Sequence, residues 1–228
     1  MALKLALFIS GLLIFTSLSL IVVHEWLAYR TLFEISKNQI ISKTNDVVSE
    51  LEKFIQQTEL DLTYISSLPD INEYHQNLNL ISAAPQNNHN AKEIKKRISN
   101  TFLNFLQTHS NYLQIRFLYH PDSGFEVARA EKFADKAIIT PDSMLQYKSS
   151  REYFRKSLMV GPGNTYRSQI DLNREQGRIV MPPQPTWRFA RAVYDSNLEP
   201  IGVIIINVDF KKISGMLKEN LHKGLSLH

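Results

Sequence analysis

Arg151 is the residue of this sequence whose surroundings most clearly demand a chemical partner. It stands next to Tyr153 and Phe154, near the start of a short predicted helix. A guanidinium placed between aromatic side chains is costly unless it meets an anion. The strand predicted after this helix carries Ser168 and is followed by Asp171. The anion is therefore either the carboxylate of Asp171 or the carboxylate of a ligand, and both alternatives stay open at this point.

Catalytic and metal-binding motifs are absent from the sequence. There is no G-x-S-x-G elbow and no P-loop, and the seven histidines never occur at metal-ligand spacing. The acidic residues show no pairing typical of general acid–base catalysis. The absence of cysteine excludes disulfides and thiolate metal sites. We therefore predict a protein that is not an enzyme and that uses neither a cofactor nor a metal.

The charge pattern does not favour a nucleic-acid partner. The net charge is +4 and the pI is about 9.2. The basic residues are scattered, apart from one cluster formed by Lys92, Lys95, Lys96 and Arg97. A solvated helix face explains this cluster better than a nucleic-acid surface does. We predict no nucleic-acid binding.

The segment from Pro185 to Phe210 predicts the central hairpin of the fold. Apolar and other residues alternate from Pro185 to Tyr194, and Asp195-Ser-Asn supplies a turn. The following run, Ile201 to Asp209, is almost entirely β-branched, which indicates a strand covered on both faces. Asp209 ends this strand and can cap a helix that begins near Phe210.

Three more strands are predicted upstream, giving five antiparallel strands in all. Residues 112–119 and 125–131 form a hairpin, and residues 164–170 form the third strand. Segments 71–90 and 132–150 show little periodicity. This order predicts an α+β fold with a PAS-like five-stranded sheet. One face of the sheet packs on long helices, and a small-molecule pocket forms under the loops on the other face.

The first 30 residues predict a transmembrane anchor. Leu5 to Val23 contains no charge and is long enough to cross a bilayer core, and Trp26 and Tyr29 suit the membrane interface. A cleaved signal peptide is the alternative. The apolar run continues past the weak small-residue site at Ser17, which favours an uncleaved anchor. The distribution of basic residues does not decide the orientation.

Residues 31–68 predict one long helix, which Pro69 and Asp70 end. An apolar stripe recurs at steps of four and three along Val47, Leu51, Phe54, Thr58, Leu62 and Ile65. Phe33, Ile40 and Val47 are also seven residues apart, a spacing that allows a homodimer near the membrane. The alternative is that this helix is simply the first core helix of the domain.

Several short segments resemble the periplasmic sensor region of bacterial transmembrane receptors of the double Cache type. These receptors include histidine kinases, diguanylate cyclases and chemoreceptors. The resemblance covers the chain from the anchor to about residue 220. It is carried by residues 112–119, 124–129, 145–154, 166–168, 171–173, 185–188 and 202–210. It implies that the domain beyond the anchor lies in the periplasm, with the anchor in the inner membrane.

The resemblance also implies a set of ligand-binding residues. Family members that bind amino acids use an Arg-x-aromatic-aromatic motif on the lid helix, which matches Arg151, Tyr153 and Phe154. They also use an Asp after the third strand and another at the end of the last strand. The full set predicted here, with two neighbours on the third strand, is Arg151, Tyr153, Phe154, Ser168, Gln169, Asp171 and Asp209.

Departures from the family motif bear on the ligand. Phe154 lacks the usual hydroxyl, and Gln146 and Gln169 stand where tyrosines are usual. In the family, arginine binds the ligand carboxylate and the acids hold the ammonium. The departures make a small carboxylate or another polar metabolite as good a candidate as an amino acid.

The sequence thus predicts a membrane-anchored sensing module with four parts. These are an anchor (1–30), a long helix (31–68), a PAS-like sensor lobe (69–222) and the start of a further segment (223–228). Two alternatives come from other functional classes: a dimerisation scaffold without a ligand, and a membrane-tethered enzyme. A second lobe, a second span and an output module are expected from the resemblance but are not present in these 228 residues.

Overall fold

The computed structural model describes residues 1–81, 88–133 and 136–225. The described residues form five α-helices and nine strands. The helices are α1 Ala2–Ser66, α2 Pro69–Ile81, α3 Asn88–Thr108, α4 Glu152–Met159 and α5 Phe210–Leu225. The strands are β1 Tyr112–Tyr119, β2 Phe125–Phe133, β3 Lys136–Ile139, β4 Tyr166–Arg167, β5 Asp171–Leu172, β6 Arg174–Glu175, β7 Arg178–Ile179, β8 Pro185–Tyr194 and β9 Pro200–Asp209.

The described chain divides into two units. Leu51–Glu219 is one compact unit, and Met1–Glu50 with the end of the chain from Asn220 is the other. The second unit contains the apolar start of α1, the one described helix that is long and apolar enough to cross a membrane. The predicted segment 223–228 lies largely outside the described residues, and α5 continues through its first part to Leu225.

The main sheet is antiparallel and places the two long hairpins side by side. Its strand order is β3-β2-β1-β9-β8-β4, and β5 also pairs with β8. The central strand β9 is buried over eight consecutive residues, as its β-branched composition predicts. Gly202 interrupts this composition because a Cβ there would lie 2.3 Å from the carbonyl oxygen of Leu118.

The two faces of the sheet have separate cores. The larger core joins the sheet to α1, α2 and α3 through buried residues such as Leu62, Ile94, Phe102 and Ile204. The smaller core lies under α4 and contains Leu118, Phe154, Ala190, Val203 and Ile205. Of the apolar stripe predicted from Val47 to Ile65, the apolar residues from Leu51 onward pack in the larger core, and Val47 is not part of it. The α+β class and the antiparallel hairpins are therefore confirmed.

Two elements depart from the sequence prediction. The segment after residue 70 forms α2, where Ile71, Tyr74 and Leu78 pack on the core at helical spacing. Pro69 and Asp70 do follow the end of α1, but they also begin α2, because proline and an acidic residue suit the first turn of a helix. Lys136–Ile139 adds an edge strand whose exposed residues gave no alternation to recognise.

The predicted third strand is divided into two short pieces. Tyr166 and Arg167 pair with β8, and Asp171 and Leu172 pair with it again further along. Between them the chain leaves the sheet, although the backbone N–H of Ser168 still donates to the carbonyl of Arg188 at 2.9 Å. The division into β4 and β5, together with the added edge strand β3, gives the main sheet seven strands instead of five.

Candidate functional site

A cavity of about 340 Å³ lies between the start of α4 and the sheet. Residues of α4, β4, β5, β8 and the start of β6 line it, which places it on the face opposite the larger core. Its volume is at the lower end of the range for ligand pockets, roughly 300–1,000 Å³. The sheet face with the inserted helix and loops thus carries a small-molecule cavity.

Five of the seven predicted site residues line this cavity, namely Arg151, Tyr153, Ser168, Gln169 and Asp171. Phe154 does not, because it is buried in the smaller core and stacks on His120 with ring centroids 6.1 Å apart. Successive residues of a helix point about 100° apart, and in α4 this turn directs Phe154 into the smaller core while Tyr153 faces the cavity.

Asp209 also lies outside the cavity lining. It ends β9, and its carboxylate accepts a hydrogen bond from the backbone N–H of Lys211 at 3.0 Å and a longer one, at 3.4 Å, from that of Lys212. Asp209 therefore caps α5, as the predicted transition from strand to helix suggested. The geometry brings neither Phe154 nor Asp209 together with the other five residues.

Arg151 sits at the cap position before α4 and is half-buried. Within residues 1–81, 88–133 and 136–225 it forms no ion pair, since Asp171 pairs with Arg188 instead. The alternative in which Arg151 is only the partner of Asp171 is therefore wrong. The carboxylate of Asp171 binds Arg188 because Asp171 lies on β5, which pairs with β8, the strand that carries Arg188.

Tyr153 places a neutral hydroxyl among the arginines. Burial raises the pKa of Tyr153, and the positive charges of Arg116, Arg188 and Arg151 only partly offset this effect. The guanidinium carbon of Arg188 lies 5.8 Å from the centre of the tyrosine ring. At neutral pH the hydroxyl therefore keeps its proton and can donate a hydrogen bond to a ligand carboxylate.

The cavity lining is strongly positive. It contains five arginines and two carboxylates: Arg116, Arg151, Arg155, Arg174 and Arg188, with Glu152 and Asp171. Arg116 contributes a further feature, because its Nε is buried and has no hydrogen-bond partner in the described part of the chain. An oxyanion is the kind of ligand that such a lining attracts.

The sequence signals for Arg116 and Arg188 were visible but incomplete. Both are arginines inside predicted strands, where a charge must find a partner or water. Sequence alternation indicates which residues share a strand face, but it does not indicate that the face carrying Arg188 lines a cavity.

A network of buried charges adjoins the cavity through Arg116. The side chains of Arg116, Glu126, Arg129 and Lys148 are each at most 3% exposed. Glu126 accepts from Arg116 Nη1 at 2.9 Å and from Arg129 Nη1 at 3.2 Å. The network also contains Gln114, Glu131, Gln146 and Glu175, and the side chains of Thr140 and Asn207 are hydrogen-bonded to it.

Glu175 is the acid on which this network converges. Burial alone would raise its pKa, but the positive charges of Arg116, Lys148 and Arg129 lower the pKa of Glu175 to about 2. Burial and the nearby charge of Arg116 lower the pKa of Lys148, against the opposing effect of Glu175. The sequence of residues 171–177 predicts a turn and gives no sign of this role for Glu175.

Across residues 1–81, 88–133 and 136–225, no three His, Cys, Asp or Glu side chains are grouped so that they could hold a metal ion.

The antiparallel sheet with helices on one face and an arginine-lined cavity under α4 on the other is a fold shared with sensory domains of bacterial receptors. Residues 75–227 match the family described as the sensor domain of bacterial histidine kinases. The chain belongs to this family and serves as a sensing module. No curated protein matches the sequence.

Three solved structures illustrate the shared fold. A domain of a sensory box/GGDEF family protein from Vibrio parahaemolyticus aligns with a TM-score of 0.60 and 21% identity, covering 79% of this chain and 61% of that one. The sensor domain of the V. cholerae histidine kinase DctB aligns with a TM-score of 0.53 and 13% identity, covering 78% of this chain and 57% of that one.

The third structure is the ligand-binding domain of the Campylobacter jejuni chemoreceptor Tlp3 in complex with 4-methylisoleucine. It aligns with a TM-score of 0.54 and 14% identity, covering 78% of this chain and 60% of that one. This chain therefore spans less than two thirds of each of the three structures. At these identities the likeness shows the fold alone.

Proposed function

We propose that the chain is the extracytoplasmic sensing part of a bacterial membrane receptor and that its cavity binds a small carboxylate-bearing metabolite. The observation that carries this proposal is Arg151, a half-buried guanidinium at a cavity wall that has no ion-pair partner among the described residues. Tyr153 supplies a hydroxyl donor next to it. The ligand carboxylate forms the ion pair that Arg151 lacks among the described residues.

The pairing of Asp171 favours a ligand without an ammonium group. In an amino-acid site, a free carboxylate would hold the ammonium, but Asp171 is engaged by the buried guanidinium of Arg188. The other carboxylate at the cavity, Glu152, is exposed and lies within 3.4 Å of the hydroxyl of Tyr166. Tlp3 binds 4-methylisoleucine, whereas the arginine-rich lining here suits a carboxylate that carries no positive charge.

Substituting Arg151 tests the proposed ligand site. A panel of small carboxylates is screened against the full chain in detergent, because a ligand at a hundredfold its Kd stabilises the protein by about 2.7 kcal/mol. For the carboxylate that raises the melting temperature most, Arg151→Ala should weaken binding about ten- to a hundredfold, since each 1.4 kcal/mol is a factor of ten. Calorimetry measures the affinity.

The matched control is Arg178→Ala, which removes the same charge from an exposed position outside the cavity lining. Its affinity should stay unchanged. The melting temperature of ligand-free Arg151→Ala should also stay close to that of the parent, because no described ion pair is lost. An unchanged affinity in Arg151→Ala would exclude Arg151 from the site.

The proposed location is the inner membrane, with residues from Arg30 onward in the periplasm. The apolar start of α1 and the sensor-domain family support it. A reporter that is active only in the cytoplasm, fused after His228, should be silent. A reporter that is active only in the periplasm should give signal at the same position, and the reverse result would contradict the proposed topology.

We also propose a homodimer formed by the membrane-proximal part of α1. Phe33 and Ile40 are both 56% exposed, and they are seven residues apart. Single cysteines at Phe33 or Ile40 should crosslink in membranes more efficiently than cysteines at Asn38 or Asn45, because the apolar positions face the second copy in a heptad pairing. A flat crosslinking profile would contradict the dimer.

A further inference from the structure

The hairpin formed by β6 and β7 meets the buried charge network through the side chain of Glu175 and through the backbone N–H of Gln176, which donates to Gln146 Oε1 at 3.2 Å. Its strands, Arg174–Glu175 and Arg178–Ile179, pair only with each other. The turn between them uses positive φ at Gln176 and Gly177. Arg174 lines the cavity, whereas Glu175 reaches into the buried charge network. One short hairpin therefore forms part of the cavity wall and also inserts a carboxylate beneath it.

The carboxylate of Glu175 receives hydrogen bonds from five side chains. Lys148 Nζ donates at 3.2 Å, Gln146 Nε2 at 2.9 Å and Gln114 Nε2 at 3.3 Å. Arg129 Nη1 donates at 3.3 Å, and Arg116 Nη2 donates a further hydrogen bond to the carboxylate of Glu175. Two carboxylate oxygens offer about four acceptor sites, so the donors exceed what this one group needs.

The charges of the network depend on Glu175 for their balance. Three buried cations, Arg116, Arg129 and Lys148, face two carboxylates of the sheet, Glu126 and Glu131. The third positive charge is offset only by Glu175, which comes from the hairpin and not from the sheet. An uncompensated buried charge is strongly unfavourable. Without Glu175, the remaining donors would form a positively charged site for a small anion.

We propose that Gln114, Arg116, Arg129, Gln146 and Lys148 form an anion-binding site that shares only Arg116 with the ligand cavity, and that its occupant in the described structure is the tethered carboxylate of Glu175. A free carboxylate of the size of formate or acetate binds in its place when Glu175 is removed. This inference does not depend on the proposed ligand of the cavity, because it concerns the ligand-free protein and four donors that do not line the cavity besides Arg116, which does.

Occupation of this site by Glu175 latches the β6–β7 hairpin against the sheet. Because Asn173 and Arg174 line the cavity next to Glu175, the latch also fixes one wall of the cavity. Glu175 is thus a positioning residue, which acts on the cavity through the hairpin without lining it.

Chemical rescue by formate tests the proposal. Glu175→Ala in the full chain should melt at a lower temperature than the parent, and decimolar sodium formate should restore at least half of the loss. Sodium chloride at equal ionic strength should not restore it. The control is Glu199→Ala, which removes an exposed carboxylate outside the cavity lining. The parent and this control should each gain less melting temperature from formate, relative to chloride, than Glu175→Ala does.

Hydrogen exchange supplies a second readout that a general salt effect would not change. In Glu175→Ala, amides of residues 174–179 should lose protection, and formate should return it. If Glu175→Ala does not fold in chloride, refolding in formate replaces the melting experiment, and recovery only in formate supports the site. Equal behaviour of the variant in formate and in chloride would overturn the proposal.

Discussion

Replacing Arg116 by methionine should lower the free energy of unfolding by about 3–5 kcal/mol, the range for breaking one side of a buried ion pair. Methionine preserves much of the side-chain volume but removes the charge that faces Glu126 and Glu175. The side chain of Glu126 is fully buried, at 0% exposure, so it cannot recover the lost interaction from water. Urea unfolding of the detergent-solubilised chain measures the change.

Arg167→Met is the matched control for this substitution. Arg167 also lies in a strand of the main sheet, but its ion pair with Glu59 is exposed to solvent. Exposed pairs contribute about 0–1 kcal/mol, so the control should change stability little. The double variant Arg116→Met with Glu175→Gln should lose less than the sum of the single losses, because the two residues share one network. Equal losses in Arg116→Met and Arg167→Met would contradict the network as described.

Glu175→Gln should make the free energy of unfolding less dependent on pH in the acid range, because it removes a carboxyl group with a lowered pKa. The pKa of Glu175 is about 2 in the folded protein and 4.5 as its ordinary value. A carboxyl group with a lowered folded pKa contributes stability above its unfolded pKa and loses it as the pH falls towards the folded pKa. The contribution is about 3 kcal/mol at neutral pH, at about 1.4 kcal/mol per pKa unit.

The measurement compares the parent with Glu175→Gln between neutral pH and pH 3. The parent should lose about 2 kcal/mol more than the variant over this interval, since only part of the window down to the folded pKa is crossed. Arg116, Arg129, Lys148, Glu126 and Glu131 face Glu175 in the parent and position 175 in the variant, so the two proteins differ only by the carboxyl group at that position. Parallel pH profiles would show that Glu175 does not carry this linkage.

The fold was accessible from sequence where local patterns are strong. The β-branched run of β9 and the apolar stripe from Leu51 to Ile65 identify their elements because periodicity reports burial directly. α2 was missed because Pro69 and Asp70 signal both the end of one helix and the start of the next. β3 was missed because an edge strand with exposed side chains carries no alternation.

The candidate site was predictable in its outline only. Arg151, Tyr153, Ser168, Gln169 and Asp171 do line one cavity. The pairing of Asp171 with Arg188 could not be read from the sequence, because it depends on which strands become neighbours. Glu175 shows the same limit more sharply: its turn was recognised, but its contact with Arg116 spans 59 residues of chain.

The double position of Arg116 constrains how this domain can diversify. The same guanidinium lines the ligand cavity and balances buried carboxylates, so a substitution that alters recognition there also threatens folding. Arg151, Ser168 and Gln169 lie on connecting segments outside the buried network, and they can change at little cost to the fold. Substitutions that change the ligand preference of this domain should therefore occur first at those three positions, while Arg116 stays unchanged.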